Sequence, residues 1–299
     1  MNEEYFPAGF ISELSEARSE SLSKAQTWPK ISIVMPSFNQ DRFIERSILT
    51  VLNQGYPNTE LIVIDGGSSD GTVELLKKYD HAISYWVSEK DNGQSDALNK
   101  GFARATGDFY GWLNSDDLYA PGAFHKAASA FRQNLKKKVV FGDWLSIDES
   151  DSVLDLNHAF DFSLNHFKYE GFHLNSQSMF WRAEVHQRFG GFDVDLYNTM
   201  DYQMILEFGI NEGDEAFLRL PDVFGAFRRY AGQKTSGFTA RVLAEHKSLA
   251  QHYRYTDKYE LLGNLKRKIF RVRRASWYLK RGGFSLLAAR LRDAYANRH

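Results

Sequence analysis

Cysteine is absent from the 299 residues, which excludes a disulfide framework, a thiolate metal centre and a cysteine nucleophile together. No apolar run approaches the roughly 18 residues of a membrane span. The first twenty residues, MNEEYFPAGFISELSEARSE, are acidic and lack the basic-then-apolar order of a secretory leader. These absences lead to the expectation of a soluble, cytoplasmic chain. A large core is present instead: 43% of residues are hydrophobic and 15% aromatic. That suits one large α/β domain with a small appendage and excludes global disorder.

The net charge of −1 conceals an asymmetry. Residues 264–299 hold 11 Lys and Arg against a single acid, Asp293, a net +10, which leaves −11 on residues 1–263. An acidic body with a basic tail points to an anionic partner for the tail, phospholipid or nucleic acid; a plain solvated helix face is the equal alternative.

Residues 1–30 read as a polar extension in which Phe6, Phe10, Ile11, Leu14 and Leu22 dock at most one short helix. Beyond them the pattern is regular. Strands are expected over 31–36, 61–64, 83–87, 108–113 and 139–141. Helices are expected over 41–53, from the turn at 65–72 to about 79, over 96–104, and from about 121. The second half offers a hairpin at 144–156, a strand at 176–181, a helix at 196–208, short strands at 216–220 and 223–228, and helices after 237. Alternating strands and helices imply a mostly parallel sheet with helices on both faces, and ligands bind outside the carboxyl ends of such strands. Polar clusters fall there: 36–39, 65–70, 88–93 and 114–117.

Asp116 and Asp117 are adjacent carboxylates that repel unless a cation neutralises them. A hard divalent cation fits, and so does a helix N-terminus, where acids cap free N–H groups. In the 65–72 turn Gly66 and Gly67 permit close backbone approach, and Asp65 can accept from a base or ribose. Capping by Ser68 or Ser69 is the alternative. Neither GxGxxG nor a P-loop is present, so a dinucleotide or ATP cradle is unsupported.

Taken in order, ISIVMPSFN at 31–39, IDGGSSDGT at 64–72, SEKDNGQSDALNKG at 88–101, LNSDD at 113–117, GGFD at 190–193 and MDYQ at 200–203 resemble the family 2 glycosyltransferases of GT-A fold. The likeness spans 31 to about 206. It implies inverting transfer of a sugar from a nucleoside-diphosphate sugar, of UDP or GDP type, to a hydroxyl of a glycan or lipid-linked acceptor. It also implies Mn2+ or Mg2+ and a role in bacterial surface polysaccharide or lipopolysaccharide synthesis. By the same resemblance Asp201 matches the catalytic base and Asp116, beside Asp117, the metal ligand. Pro36, Ser37, Asn39, Asp65, Asp91, Asp96, Asn114 and Ser115 line the nucleotide-sugar pocket.

The sequence departs from the family pattern at three places. Asn114 replaces the first aspartate of the DxD motif. Gly66 stands where many relatives have a base-reading aspartate. Tyr230 stands in the region where relatives often have a late metal-ligand histidine, with Arg228 or Arg229 able to neutralise the diphosphate directly. His173 and Gln177 fall where the family shapes its acceptor site, and Trp144 and Trp181 either stack on a sugar or pack in the core. His166 and His186 read as ordinary surface or core histidines.

The expected organisation is an extension over 1–30, a GT-A catalytic domain over 31–235, and a basic helical extension over 236–299. The tail reads as two amphipathic helices broken at Gly282 and Gly283, suited to the inner face of an anionic membrane. No nucleic-acid motif accompanies it. Two alternatives are a nucleotidyltransferase, whose Gly-rich basic loop is missing here, and an inactive binding or scaffold protein of the same fold.

Overall fold

The computed structural model describes residues 5–7, 9–14, 28–171, 174–234, 240–257 and 260–296, with side chains through 281. Strand β1 (Ile31–Ser37) is buried at every position, which is why it reads as an unbroken apolar run: a central parallel strand is covered on both faces. It pairs in parallel with β2 (Thr59–Asp65) on one side and β4 (Phe109–Trp112) on the other, and β2 pairs in parallel with β3 (Tyr85–Ser88). The crossovers are helices α1 (Ile44–Leu52), α2 (Thr72–Lys78) and α3 (Gln94–Phe102). α1 sets Ile44, Ile48 and Leu49 against Ile31, Ile33 and Met35. α3 sets Leu98 and Phe102 on the opposite face with Val34. Helices therefore cover both faces.

The second half adds β5 (Leu118–Tyr119), α4 (Ala123–Gln133), β6 (Val139–Ile147), β7 (Val153–Asn157), α5 (Leu164–Glu170), β8 (Met179–Arg182), α6 (Ala183–Phe189), α7 (Met200–Glu212), β9 (Phe217–Arg228), α8 (Ala240–His252) and α9 (Leu261–Ala296). The sheet order is β3-β2-β1-β4-β8-β6-β9-β5, with β7 paired to β6. β8 runs antiparallel to β4 and β6, while β9 runs parallel to β6. The expected hairpin is β6–β7.

Three expectations change. The two short strands after 216 are one strand, β9. Its Pro221 and Asp222 are absorbed as a bulge where the β6 register jumps from Phe141↔Arg219 to Asp143↔Val223. Gly142 sits inside that bulge, where a Cβ would stand 2.4 Å from the Asp222 carbonyl oxygen. The tail is one helix of 36 residues that passes through Gly282 and Gly283; a helical glycine costs about 1 kcal/mol and does not force a break. The start of the extension belongs to the body. Within 5–14 it forms turns rather than a helix, and Phe6 and Ile11 bury against Leu118, Leu145, Ile147 and Ala226. Leu14 packs on the main core, and Leu22 lies outside the described residues. No described helix is long and apolar enough to cross a membrane.

Candidate active site

The carboxyl ends of β1, β2 and β3 meet in register, Ser37 beside Asp65 and Asp65 beside Ser88. The Gly66 N–H donates to the Ser37 carbonyl at 2.8 Å. Asp65 is wholly buried. Its Oδ1 accepts from the Ser68 hydroxyl at 2.5 Å, and its Oδ2 accepts from the Ser68 N–H at 2.9 Å and the Ser88 hydroxyl at 2.6 Å. Both oxygens serve the turn, so Asp65 shapes the pocket rather than meeting a base. Asn39 adopts a left-handed backbone, φ 51°. Its N–H donates to the Ser68 hydroxyl at 2.7 Å and its Oδ1 accepts from the Ser69 N–H at 2.9 Å, which stitches the first loop to the second. Pro36 and Ser37 are buried within β1. The exposed group at this strand end is Phe38, 60% accessible amid polar neighbours.

The space beside Gly66 is filled from another loop. A Cβ on Gly66 would stand 2.9 Å from Asp91 Oδ2. Asp91 Oδ1 accepts from the Gly93 N–H at 2.8 Å. Burial pushes the Asp91 carboxyl up, the Gly93 N–H and Lys100 oppose this, and Asp96 and Asp65 add to it. Asp96 organises the same loop: it accepts from the Asn92 N–H at 3.0 Å and pairs with Lys100 at 3.4 Å.

At the end of β4 the adjacent carboxylates part ways. Asp117 is wholly buried. Its Oδ1 accepts from the Arg228 N–H at 2.9 Å and its Oδ2 from Asn114 Nδ2 at 3.2 Å. With both oxygens committed inward, Asp117 is not placed as a metal ligand; burial, with Asp116 beside it, holds its carboxyl well above the usual range. Asp116 is half-buried and its Oδ2 accepts from the Tyr230 hydroxyl at 2.9 Å. Burial raises its carboxyl, with the Tyr230 hydroxyl opposing. Asn114 Oδ1 accepts from Gln94 Nε2 and Trp112 Nε1, each at 2.8 Å. Ser115 is buried, and its carbonyl accepts from the Ser47 hydroxyl at 2.9 Å.

Among the described residues no three His, Asp or Glu side chains converge as a metal cage. A divalent cation held by one carboxylate and substrate phosphates needs no such cage, and the Asp116 Oδ1 fits that donor set.

Two expected diphosphate or acceptor groups are corrected. Arg228 is wholly buried. Its Nε donates to the Asp116 carbonyl at 2.7 Å, its Nη1 to the Asp148 carbonyl at 2.8 Å, and its Nη2 pairs with Asp151 at 2.6 Å. It braces the acidic turn from beneath and does not face a donor. Gln177, 1% exposed, is likewise interior, its carbonyl against Gly225. Arg229 is exposed and pairs its N–H with the Ile147 carbonyl at 2.8 Å. Trp181 is wholly buried in the core, and Trp144 is half-buried. His173 lies outside the described residues.

Asp201 occupies the first turn of α7. The approach to that turn is held by Glu245 of α8, which accepts from the N–H groups of Tyr197, Asn198 and Thr199 at 2.9, 3.0 and 3.1 Å. Burial alone would raise the Glu245 carboxyl; those donors, the Thr199 hydroxyl and Arg241 hold it below its ordinary value. Burial pushes the Asp201 carboxyl up to about 6, opposed by the Tyr202 N–H and by Lys234. Lys234 Nζ donates to Gln94 Oε1 at 2.8 Å and sits 4.3 Å from the centre of the Tyr197 ring. Desolvation draws this ammonium down to about 8, against the pull of Asp201 and Glu245. A relay thus runs from Lys234 through Gln94 and Asn114 to Asp117, and joins the surroundings of Asp201 to the acidic turn.

Residues 32–190 match the profile of Glycosyl transferase family 2. The chain belongs to that family. This glycosyltransferase is 31% identical over 180 residues to an uncharacterized glycosyltransferase of Mycobacterium tuberculosis, across 60% of this chain and 68% of that protein. It is 26% identical over 181 residues to chondroitin synthase of Escherichia coli, across 60% of this chain but 26% of the synthase. Its fold superposes on S. aureus TarS in complex with UDP-GlcNAc with a TM-score of 0.61 and 16% identity, covering 85% of this chain and 74% of that one. On the mannosyltransferase PcManGT of Pyrobaculum calidifontis, in complex with GDP-Man and Mn2+, the TM-score is 0.56 at 16% identity, covering 95% and 88%. The fold is therefore GT-A.

Four side chains of the transferase site were not singled out from sequence: Phe38, Gln94, Tyr197 and Lys234. Phe38 had a signal, an aromatic residue inside a polar strand-end cluster. Lys234 falls within 227–236, where relatives often carry a late metal ligand, but a lysine is not a metal-ligand type. Gln94 and Tyr197 had none, because their partners lie far away in the chain.

Proposed function

We propose that the enzyme moves a sugar, with inversion, from a nucleoside-diphosphate sugar to an acceptor hydroxyl. The observation that supports this reading is the relay Lys234–Gln94–Asn114–Asp117, which links the cation that favours ionised Asp201 to the turn that carries Asp116. The donor enters at the carboxyl ends of β1–β4, where Phe38 offers an open ring face to the base. Asp91, in the space left by Gly66, accepts from a base N–H. Uracil N3–H and guanine N1–H donate at that edge, whereas cytosine and adenine present a ring acceptor there. TarS with UDP-GlcNAc and PcManGT with GDP-Man both hold bases of the donating kind.

Asp116, together with the donor diphosphate, holds Mn2+ or Mg2+. When bound, such an ion offsets the charge of the departing diphosphate. Asp201 takes the proton of the acceptor hydroxyl while its oxygen bonds to the anomeric carbon. The bond from that carbon to the phosphate oxygen breaks, and the nucleoside diphosphate leaves with the electron pair. Lys234 favours the ionised form of Asp201. The likeness to a chondroitin synthase supports a growing polysaccharide, free or lipid-linked, as the acceptor.

Calorimetric titration with UDP, GDP, dTDP and CDP, with and without Mn2+, tests this. The expected result is metal-dependent binding of UDP or GDP. Asp116→Ala weakens it about tenfold or more and removes the metal effect, and Asp91→Ala narrows the preference over CDP by about tenfold, the loss of one charged hydrogen bond. If none of the four binds, the reading fails; if one binds equally without metal, the metal leaves the mechanism.

A further inference from the structure

We infer that α9 is an interfacial helix that seats the enzyme on an anionic phospholipid surface. One face of this helix is occupied by the body. Phe270 stacks on Tyr169 with ring centres 5.8 Å apart, Trp277 meets Phe160 at 6.1 Å, Tyr278 is buried, and Arg274 pairs with the buried Glu170 at 2.8 Å.

The opposite face is apolar and open. Leu261, Leu262, Leu265, Ile269, Val272 and Leu279 are 36–89% exposed. At 100° per residue these six side chains fall within an arc of about 100°, which points away from Phe270, Arg274 and Trp277. Cations rim the stripe: Arg273 and Lys280 along one edge with Lys266, whose Nζ also donates to the Tyr169 hydroxyl at 3.0 Å, and Lys268 along the other with Arg271, which also lies 3.6 Å from Glu170. All five are exposed.

A narrow apolar stripe between two rows of long cationic side chains matches one environment well. The aliphatic groups dip into the acyl boundary while Lys and Arg reach the phosphates above it. Charge selects the partner. The tail carries +10 and the body −11, so two tails facing each other repel, and an anionic surface attracts the helix. Nucleic acid fits less well, because the centre of the exposed face is aliphatic rather than charged or aromatic. The inference stands on the helix alone and does not depend on the catalytic reading.

The test is co-sedimentation of the full chain with vesicles of equal parts phosphatidylglycerol and phosphatidylcholine, against vesicles of phosphatidylcholine alone. The triple variant L265E/I269E/V272E alters exposed positions and is checked by circular dichroism and by nucleotide titration, both expected to be unchanged. Binding to the anionic vesicles is expected, weakened about tenfold or more by the triple substitution and reduced at about 0.5 M salt, where charges a few ångströms apart are screened. Four results would overturn the inference: no vesicle binding, equal binding to neutral vesicles, undiminished binding by the triple variant, or a dimer in light scattering that the triple variant abolishes while vesicles are ignored. The last would make a second copy the occupant.

Discussion

Asp201 is a carboxyl that burial pushes up to about 6, and this has consequences for rate and for stability. In the proposed role of base it would act only when ionised, so transfer is expected to fall about tenfold per pH unit below pH 6. Replacing Lys234 with Met removes the cation that favours the carboxylate. The acid limb then moves to higher pH, by up to about one unit; a limb that stays in place would detach Lys234 from Asp201. Asp201→Asn leaves nothing to take the proton, so the rate falls by about 10²–10⁴ while nucleotide affinity holds. A variant at the wild-type rate would make Asp201 an ordinary first-turn residue. The sign for stability is the reverse of a salt-bridged aspartate. An acid whose folded pKa is raised favours the folded state in its protonated form, and that contribution is lost as pH rises from the ordinary value of 3.8 through about 6. Asp201→Asn should therefore melt higher than wild type at pH 7–8, with the gap closing below pH 4, as expected where catalysis is bought with stability.

At the scale of elements, Arg228 ties three segments together: the end of β9, the acidic turn after β4, and the β6–β7 connection through Asp148 and Asp151. Arg228→Met takes from the buried Asp151 one of its two arginines, leaving Arg46 at 3.2 Å, and strips the Asp116 and Asp148 carbonyls of their donor; the expected cost is about 3 kcal/mol, to be read from urea unfolding. If that variant instead unfolds like wild type and binds the donor weakly, Arg228 faces the diphosphate after all. The elements legible in the sequence were those with a clean local signature. β1 and β2 are long apolar runs because both their faces are covered. α5 and α6, at seven residues each, and β5, at two, passed unseen, since so few residues show no period. The bulge in β9 reads locally as a break at Pro221 and exists as a continuous strand because Gly142 gives it room.

Over the whole molecule, the basic tail is clasped to the acidic body by one buried carboxylate. Glu170 takes His166 at 2.6 Å and Arg274 at 2.8 Å. Glu170→Ala removes that clasp and leaves Arg274 and Arg271, at 2.8 and 3.6 Å from the carboxylate, without their counter-charge. Trypsin should cut α9 several-fold faster in this variant while UDP or GDP binding is retained, because the nucleotide loops share no element with the clasp. Loss of both together would mean that tail and body fold as one unit.

The sequence by itself determined the alternation of strands and helices, the polar loops at the strand ends, the family and the charge division. All of these are written in local periodicity, short motifs and composition. The tertiary structure alone decided which of many similar groups faces the site. Asp65 and Asp117 turn inward and Asp116 stays open; Arg228 goes beneath the turn and Lys234 comes to it; Asp91 takes the place beside Gly66. Burial and hydrogen bonding make these choices, and they depend on what distant segments set alongside: Arg228 reaches Asp117 across 111 residues and Lys234 reaches Gln94 across 140.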